Sequence, residues 1–423
     1  MRLANLWPSH GKIMGPGIKG KSIFVTGASG FIGARLAECL TMAYGAEVHA
    51  LVRRLGTVGT ARLARLPRLK MFRGDIRDVE SIRKAARGCS HFIHCATGTP
   101  GGYWKRSKES VRGTRNVLEV AAHEKAERVV YFSSAAVHDP ARSGEVIHEE
   151  SLLNGRFPTS VKIPAETLAS QYYRRHGLPI VILRPTCVWG PFSPIWTIAA
   201  MELMRKGTPF LPLGGRGTAN TIYIDNLVDA VYLALTKTES VGQVFILNDD
   251  EPKTWGELYG GYARFLGVAL PFLSDSSYAR DLLRVSVFNM IHILRAMTEG
   301  KGGNGVYLLR EIYDHVPVVK LLVSTLPEQV TCRLRMFAAG QERAMDPSSR
   351  PGESHRGFLP SSFVSRHIRE LYGSKSRYSS DKAKRILGWS PRVSFPEALE
   401  RTCEWLQYAG YKDSTAQEVK RGH

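Results

Sequence analysis

From Ser22 onward, short apolar and β-branched runs alternate with longer stretches of helical periodicity. The runs are SIFVTG, EVHALV, LKMFRG, HFIHCA, RVVYFSS and PIVILRP. Between them lie FIGARLAECLTMAYG, a polar helix near Val79–Arg87, a helix around Ser107–Ala122 and another around Ile163–Arg175. Strands separated by helix-length segments predict parallel βαβ units with right-handed crossovers, because a tight hairpin cannot join parallel neighbours. The expected fold class is therefore α/β, a Rossmann-type doubly wound parallel sheet.

The rhythm changes after Pro185. TIYIDNLVDAVYLAL and QVFILNDDEPKTWGELYGGYARFLG carry shorter signals broken by Asp, Pro and Gly, which predicts a smaller C-terminal substrate lobe. The expected divisions are a flexible basic extension at 1–20, the doubly wound domain at 21–185 and the substrate lobe at 186–423, with the chain returning to the first domain around 220–250. Residues 271–372 read as a mostly helical insertion. It holds the apolar stretches Leu282–Met297 and Val306–Leu326, then a Ser/Pro/Gly/Arg-rich stretch at Asp346–Ser362.

The first strand runs into Thr26-Gly27-Ala28-Ser29-Gly30-Phe31-Ile32-Gly33 and then into a helix. Each of the three glycines serves a mechanical need, in turn a tight turn, close approach of backbone to a pyrophosphate, and close packing of helix on strand. The helix N-terminus adds free N–H groups for an anion. The strand–turn–helix setting near the start of a βαβ series makes this a dinucleotide-binding turn.

Composition narrows the remaining possibilities. The chain has 423 residues, 43% hydrophobic and 23% charged, which is ordinary for a globular protein. Its cysteines, Cys39, Cys89, Cys95, Cys187, Cys332 and Cys403, form no C-x-x-C pair and stand near no His cluster. Neither a disulfide framework nor a metal site is expected. No apolar run reaches the roughly 18 residues of a membrane span, and the first twenty residues lack the apolar core of a signal peptide, so a cytoplasmic protein is expected. The balance of 58 Lys and Arg against 38 Asp and Glu gives a net charge of +20, which draws anions in general. No nucleic-acid recognition module accompanies it, so the expected partner is a small-molecule substrate rather than nucleic acid.

TGASGFIG resembles the glycine motif of the extended short-chain dehydrogenase/reductase superfamily, in its NAD-dependent epimerase/dehydratase group. The resemblance continues in order through GDIRD, HFIHCA, GTRNVLE, VVYFSS, K-x-x-x-E at Lys162–Glu166, LRPTCVWGP, YIDNLVDAV, ILNDDEP and KAKRILGWSPRVSFPEALERT. It covers roughly Ser22–Pro252 and Tyr378–Trp405. The resemblance implies that residues 21–185 bind NAD(P), with Gly27, Ser29, Gly30, Phe31, Ile32 and Gly33 forming the turn that holds it. It places Asp75 and Ile76 at the adenine, Ala96 beside the ribose and pyrophosphate, and Pro185 against the nicotinamide.

Cofactor choice can be read from the end of the second strand. An acidic residue there would accept bonds from the ribose 2′-OH of NAD. Arg53 and Arg54 stand there instead, and neither can accept a bond, whereas both can hold a 2′-phosphate. Between Val48 and Gly74 there are seven basic residues and no acidic one. NADP is therefore expected, with NAD as the alternative; Arg62, Arg65 and Arg68 are expected on a solvated face.

In this superfamily a Ser or Thr, a Tyr and a Lys act together, since hydride movement at carbon requires proton movement at oxygen. The resemblance matches Ser134 to the hydroxyl and Lys162 to the lysine, which also binds the nicotinamide ribose. The tyrosine is missing: four residues before Lys162 stands Pro158. Ser134, Lys162, Tyr103 and His138 are the candidates to carry its proton. Ser110 replaces a common asparagine, while Asn116 is retained.

The expected activity is that of an NAD(P)-dependent oxidoreductase or epimerase, with hydride transfer at a secondary alcohol or ketone of an apolar or sugar-derived substrate. Two alternatives stand: a cofactor-binding protein that has lost redox catalysis, and a nucleotide-sugar epimerase or dehydratase. Against the last, the position of the arginine that clamps a sugar diphosphate is Ala219, with Arg216 nearby. ANTIYIDNLVDAVYLAL is closer to members acting on hydroxysteroid-like alcohols. The insertion at 271–372 could then contribute core helices or a peripheral membrane contact, and the resemblance suggests a homodimer.

Overall fold

The computed structural model describes residues 16–98, 103–138, 144–155, 159–273 and 371–412. Most of the 271–372 insertion, its suggested membrane contact, Pro158, Cys332 and residues 1–15 lie outside the described residues.

Seven parallel strands form the central sheet. They are β1 (Ser22–Thr26), β2 (Glu47–Val52), β3 (Leu69–Arg73), β4 (His91–His94), β5 (Arg128–Phe132), β7 (Ile180–Pro185) and β10 (Val244–Leu247), in the spatial order β10-β7-β5-β4-β1-β2-β3. This is the doubly wound arrangement that the alternation of runs predicts. Two short parallel pairs stand outside the sheet: β6 (Val146–Ile147) with β11 (Arg377–Tyr378), and β8 (Cys187–Trp189) with β9 (Thr221–Tyr223). Every residue of β5 and β7 is buried, as continuous apolar strands covered on both faces require.

The helices are α1 (Phe31–Met42), α2 (Val58–Leu63), α3 (Val79–Ala86), α4 (Tyr103–His123), α5 (Ile163–His176), α6 (Ala200–Arg205), α7 (Ile224–Thr236), α8 (Trp255–Leu266), α9 (Asp381–Leu387) and α10 (Phe395–Tyr408). Helices α3, α4 and α5 cover the sheet face that presents Phe24, Phe92, Val129, Tyr131, Ile180 and Ile182. α1 and α7 pack together against the alternate side chains of the strands. Local chemistry fixes the ends: Thr57 and Thr254 close capping boxes on α2 and α8, and Gly177 and Gly388 end α5 and α9 in left-handed conformation.

The chain divides into two compact units. One comprises Met1–Gly207, Gly215–Leu270 and Gly373–His423, and holds all the elements named above; the other comprises Thr208–Gly214 and Pro271–Tyr372. In the second unit, Leu273 N donates to Leu211 O at 2.9 Å. Ile18 is buried at 1% exposure, so packing already begins within the stretch read as a basic extension. No helix among the described residues is long and apolar enough to cross a membrane.

Candidate functional site

The glycine turn connects β1 to α1 where the sheet order reverses, with β2 on one side of β1 and β4 on the other. Crevices at such points collect ligands in doubly wound sheets. Gly27 has φ +72°, and a Cβ there would stand 2.9 Å from the amide nitrogen of Ala96. A Cβ at Gly33 would meet the Gly27 carbonyl oxygen at 2.3 Å. The turn is thus drawn as tightly as its glycines allow. Helix α1 starts at Phe31 with no side-chain cap and no acidic residue in its first turn, which leaves its N-terminal amides for an anion.

A buried hydrogen-bonded line supports the turn from below. The Ala96 amide donates to Thr26 Oγ1 at 3.2 Å, Thr26 Oγ1 stands 2.7 Å from His94 Nδ1, and His94 Nε2 stands 3.1 Å from Thr114 Oγ1. Thr26 Oγ1 thus links the loop amide to one ring nitrogen of His94, and Thr114 engages the other. Burial pushes the His94 pKa down to about 3, so the ring is neutral. His94 was not singled out by sequence, although a histidine inside the apolar run HFIHCA was the available signal.

Where the adenosine is expected, Arg53 and Arg54 are exposed just beyond β2. Arg65 and Arg68 are exposed as well, but the expectation of a solvated face fails for Arg62. Its guanidinium stands 2.6 Å from Glu38 Oε1 and lies over the Phe192 ring, 3.7 Å from the centroid. Arg62 therefore holds α2 to α1 and to the loop after β8. Helix α2 also leans on the glycine turn, where a Cβ at Gly59 would fall 2.0 Å from the Ser29 carbonyl oxygen. Asp75 receives Arg77 on both carboxylate oxygens, Nε at 3.0 Å and Nη2 at 2.9 Å, which holds its pKa below the usual carboxylate value. Ile76 is buried against Gly113 of α4, and Asn116 Nδ2 donates to its carbonyl at 2.9 Å.

The residues expected at the reacting end come together at the C-terminal edge of β4, β5 and β7. Lys162 Nζ donates to the carbonyl oxygen of Phe132, the last residue of β5, at 2.8 Å. Desolvation is the largest influence on the ammonium and pulls its pKa down to about 8. Cys95, half-buried after β4, feels the charge of Lys162, while burial pushes its thiol up to about 12. Pro185 is buried at the end of β7. Ser110, where the family often has asparagine, accepts the Gly98 amide at 2.9 Å and so anchors the loop after β4.

The two adjacent serines have different surroundings. Ser133 is buried and donates to the Glu166 carboxylate, which also receives Arg184 Nη2 at 2.5 Å. Ser134 is half-buried and its hydroxyl accepts the Ala136 amide at 3.3 Å. It therefore keeps its own proton and a second lone pair for another group. His138 is fully engaged: its Nε2 accepts from Arg184 Nη1 at 3.1 Å, so its proton is on Nδ1, which donates to Leu152 O at 3.1 Å. Burial and Arg184 both lower its pKa. That removes His138 from the proton-carrier candidates. The side chain of Tyr103 lies outside the described residues.

On the substrate side, Ala219 is buried and its amide donates to Lys253 O at 2.8 Å, while Arg216 is exposed. A cavity of about 210 Å³ is lined by Arg35, Glu38, Arg62, Phe192, Asp225 and Arg401. Its three arginines are paired, Arg35 with Asp225 at 2.7 Å, Arg62 with Glu38 at 2.6 Å and Arg401 with Glu397 at 2.5 Å, so it is an ion-pair cluster. Among the described residues, no group of three His, Cys, Asp or Glu is placed to hold a metal ion.

A model of the NAD dependent epimerase/dehydratase family matches residues 23–248. Solved structures share the fold at low identity. UDP-glucuronic acid 4-epimerase from Bacillus cereus, in complex with NAD, is 18% identical over 93% of this chain and 99% of that one, with a TM-score of 0.63. dTDP-glucose 4,6-dehydratase from Bacillus anthracis, also with NAD, is 15% identical over 92% and 97%, at 0.61. UDP-glucose 4-epimerase from Thermotoga maritima, with UDP-glucose, is 17% identical over 92% and 99%, at 0.61.

Proposed function

The chain belongs to the NAD dependent epimerase/dehydratase family, and from that premise we propose that it binds a nicotinamide dinucleotide and acts at a secondary alcohol or ketone. The observation that carries this reading is the uncapped glycine turn at the sheet reversal, with Ser134 just past the end of β5 and Lys162, at the start of α5, bonded to the last residue of that strand. A turn with no room for a Cβ at Gly27 or Gly33, leading into uncapped helix amides, fits a pyrophosphate. Gly27–Gly33 would hold the pyrophosphate, Ala96 would stand beside the ribose and pyrophosphate, Pro185 against the nicotinamide, and Asp75 and Ile76 at the adenine. The dinucleotide, when bound, supplies or accepts the hydride.

The chain's own work is binding and proton handling. Ser134 offers a hydroxyl to the substrate oxygen, and Lys162 Nζ takes or returns its proton in place of the phenol that Pro158 displaces. The resemblance also gives the ammonium the nicotinamide ribose to bind. Arg53 and Arg54, exposed just beyond β2 where no acidic residue stands in sequence to accept a ribose hydroxyl, favour NADP over NAD. Both NAD-bound structures above are sugar-nucleotide enzymes, but Ala219 offers no guanidinium to a diphosphate, which favours an apolar alcohol or ketone. Residues beyond Pro185 would supply the substrate side.

Pro158 favours a second reading, a cofactor-binding protein without turnover. Titration with NADPH and NADH, followed by an alcohol and ketone panel with Lys162→Met as control, separates the two. Cofactor binding with lysine-dependent turnover supports the first; binding with no turnover on any compound supports the second; no binding of either nucleotide overturns both.

A further inference from the structure

The reacting end of the cleft holds a cation that the proposed chemistry does not use. Arg106 lies in the first turn of α4. Helices between parallel strands run back antiparallel to them, so this turn stands beyond the C-terminal edge of the sheet, where ligands of such folds collect. Residues four apart share one face of a helix, and the inward face of α4 is marked in this way. Thr114 Oγ1 meets His94 at the end of β4, Ser110 accepts the Gly98 amide of the following loop, and Arg106 comes one turn further out. The loop touches that turn directly, since a Cβ at Gly98 would stand 2.5 Å from the Arg106 carbonyl oxygen. Lys162, at the start of α5, is close enough for the two charges to interact. Burial is the main cause of its low pKa, and the Arg106 guanidinium lowers it further.

Arg106 stands apart from the other half-covered arginines in its lack of a partner. Its Nε is buried, and among the described residues the side chain meets neither a hydrogen-bond acceptor nor a carboxylate. Glu109, on the next turn of α4, is bound to Arg77 at 3.2 Å. By contrast Arg62, Arg184, Arg392 and Arg401 each stand against a carboxylate. An unpaired, partly desolvated guanidinium beside an ammonium costs free energy in the folded chain, and such costs are kept where they serve a ligand.

One unpaired guanidinium balances one negative charge. The pyrophosphate already has the glycine turn and the α1 amides, and Lys162 serves the reacting oxygen, so the charge left for Arg106 belongs to the substrate. A carboxylate is the planar monoanion that two parallel N–H groups meet. We propose that Arg106 holds a carboxylate of the substrate, so that the secondary alcohol or ketone acted on is a hydroxy or keto acid. The inference rests on the cleft being a nicotinamide dinucleotide site and deepens that reading: the body of the substrate stays apolar, and its single acid group fixes which end lies toward α4.

Calorimetric titration tests the proposal on the full chain saturated with whichever of NADP⁺ and NAD⁺ it binds more tightly, because a ketone binds that complex without turnover. The probes are levulinate, a keto acid, and methyl levulinate, which lacks the charge. Levulinate is expected to bind at least about tenfold more tightly, the difference made by one charge-assisted contact. Arg106→Gln should abolish that preference by weakening levulinate alone, with a melting temperature at or above wild type because no protein partner is lost. Arg106→Lys keeps the charge without the fork and should retain part of the preference; it serves in place of the glutamine variant if that one fails to fold. Arg87→Gln, the same charge change at an exposed position after α3, should bind both probes as wild type does. Equal binding of acid and ester by the wild type, or undiminished levulinate binding by Arg106→Gln, overturns the proposal. So does a loss of dinucleotide affinity in Arg106→Gln as large as the loss for levulinate, which would give the guanidinium to the cofactor. A chain that binds neither dinucleotide overturns the cofactor reading and this inference with it, whereas dinucleotide binding with no preference for the acid overturns the inference alone.

Discussion

Lys162 Nζ donates to the carbonyl oxygen of Phe132 at 2.8 Å, which joins the start of α5 to the end of β5 through an ammonium held short of full solvation. Its pKa of about 8 places its proton exchange in an accessible range. Alcohol oxidation that hands a proton to the neutral amine should rise with pH and level off above about 8. Ketone reduction should show the opposite limb. Lys162→Met should lower kcat by about 10²–10⁴ and remove that limb, the usual reach of a positioned acid or base; a pH–rate profile on the best substrate of the panel checks both.

Ser133 and Ser134 should separate cleanly on mutation. Ser133→Ala takes a donor from the buried Glu166 and should cost about 1–2 kcal/mol of stability while leaving kcat nearly unchanged. Ser134→Ala should leave the melting temperature close to wild type and lower kcat. Glu166→Ala leaves the Arg184 guanidinium buried and unpaired, and should cost about 3–5 kcal/mol. Melting curves and initial rates on the three variants test this ordering.

Cofactor preference should reside in two side chains. Arg53→Ala and Arg54→Ala should each weaken NADPH binding by about tenfold, the loss of one charge-assisted contact, with little change for NADH. Fluorescence titration measures both, and wild-type protein that binds NADH as tightly as NADPH would exclude the assignment.

His94 should make the fold acid-sensitive. Its folded pKa of about 3 lies below the ordinary 6.5, so the unfolded chain takes up the proton first as pH falls. The contribution of the neutral ring is complete above pH 6.5 and is lost between 6.5 and about 3, at up to about 1.4 kcal/mol per pH unit. His94→Ala, which takes one partner each from Thr26 and Thr114 and opens a cavity, should cost about 3 kcal/mol. Urea melts at neutral and acid pH should show the wild type converging on the variant as pH falls.

The sheet was legible because its strands are continuous apolar runs between helix-length segments, and SIFVTG through PIVILRP all became strands where expected. The glycine turn was legible because its spacing has one mechanical meaning beside a strand and a helix. Less was visible wherever the partner is distant in sequence. Arg62 looks like one more cation in a basic stretch until Glu38 and Phe192 are brought beside it. His138 has a catalytic side chain, but Arg184 and Leu152 occupy both of its nitrogens. The different surroundings of Ser133 and Ser134 depend on a carboxylate 33 residues away.

The contact between Gly59 and Ser29 bears on any attempt to re-engineer cofactor preference. Transplanting the segment after β2 from an NAD-preferring relative would naturally include the first turn of α2. If the donor carries any side chain at the equivalent of Gly59, the transplanted helix must lift off the Ser29 carbonyl, and the anion cradle loosens with it. Successful grafts should therefore stop at Val58, with a glycine kept as the boundary stone between the part that selects the nucleotide and the part that grips it.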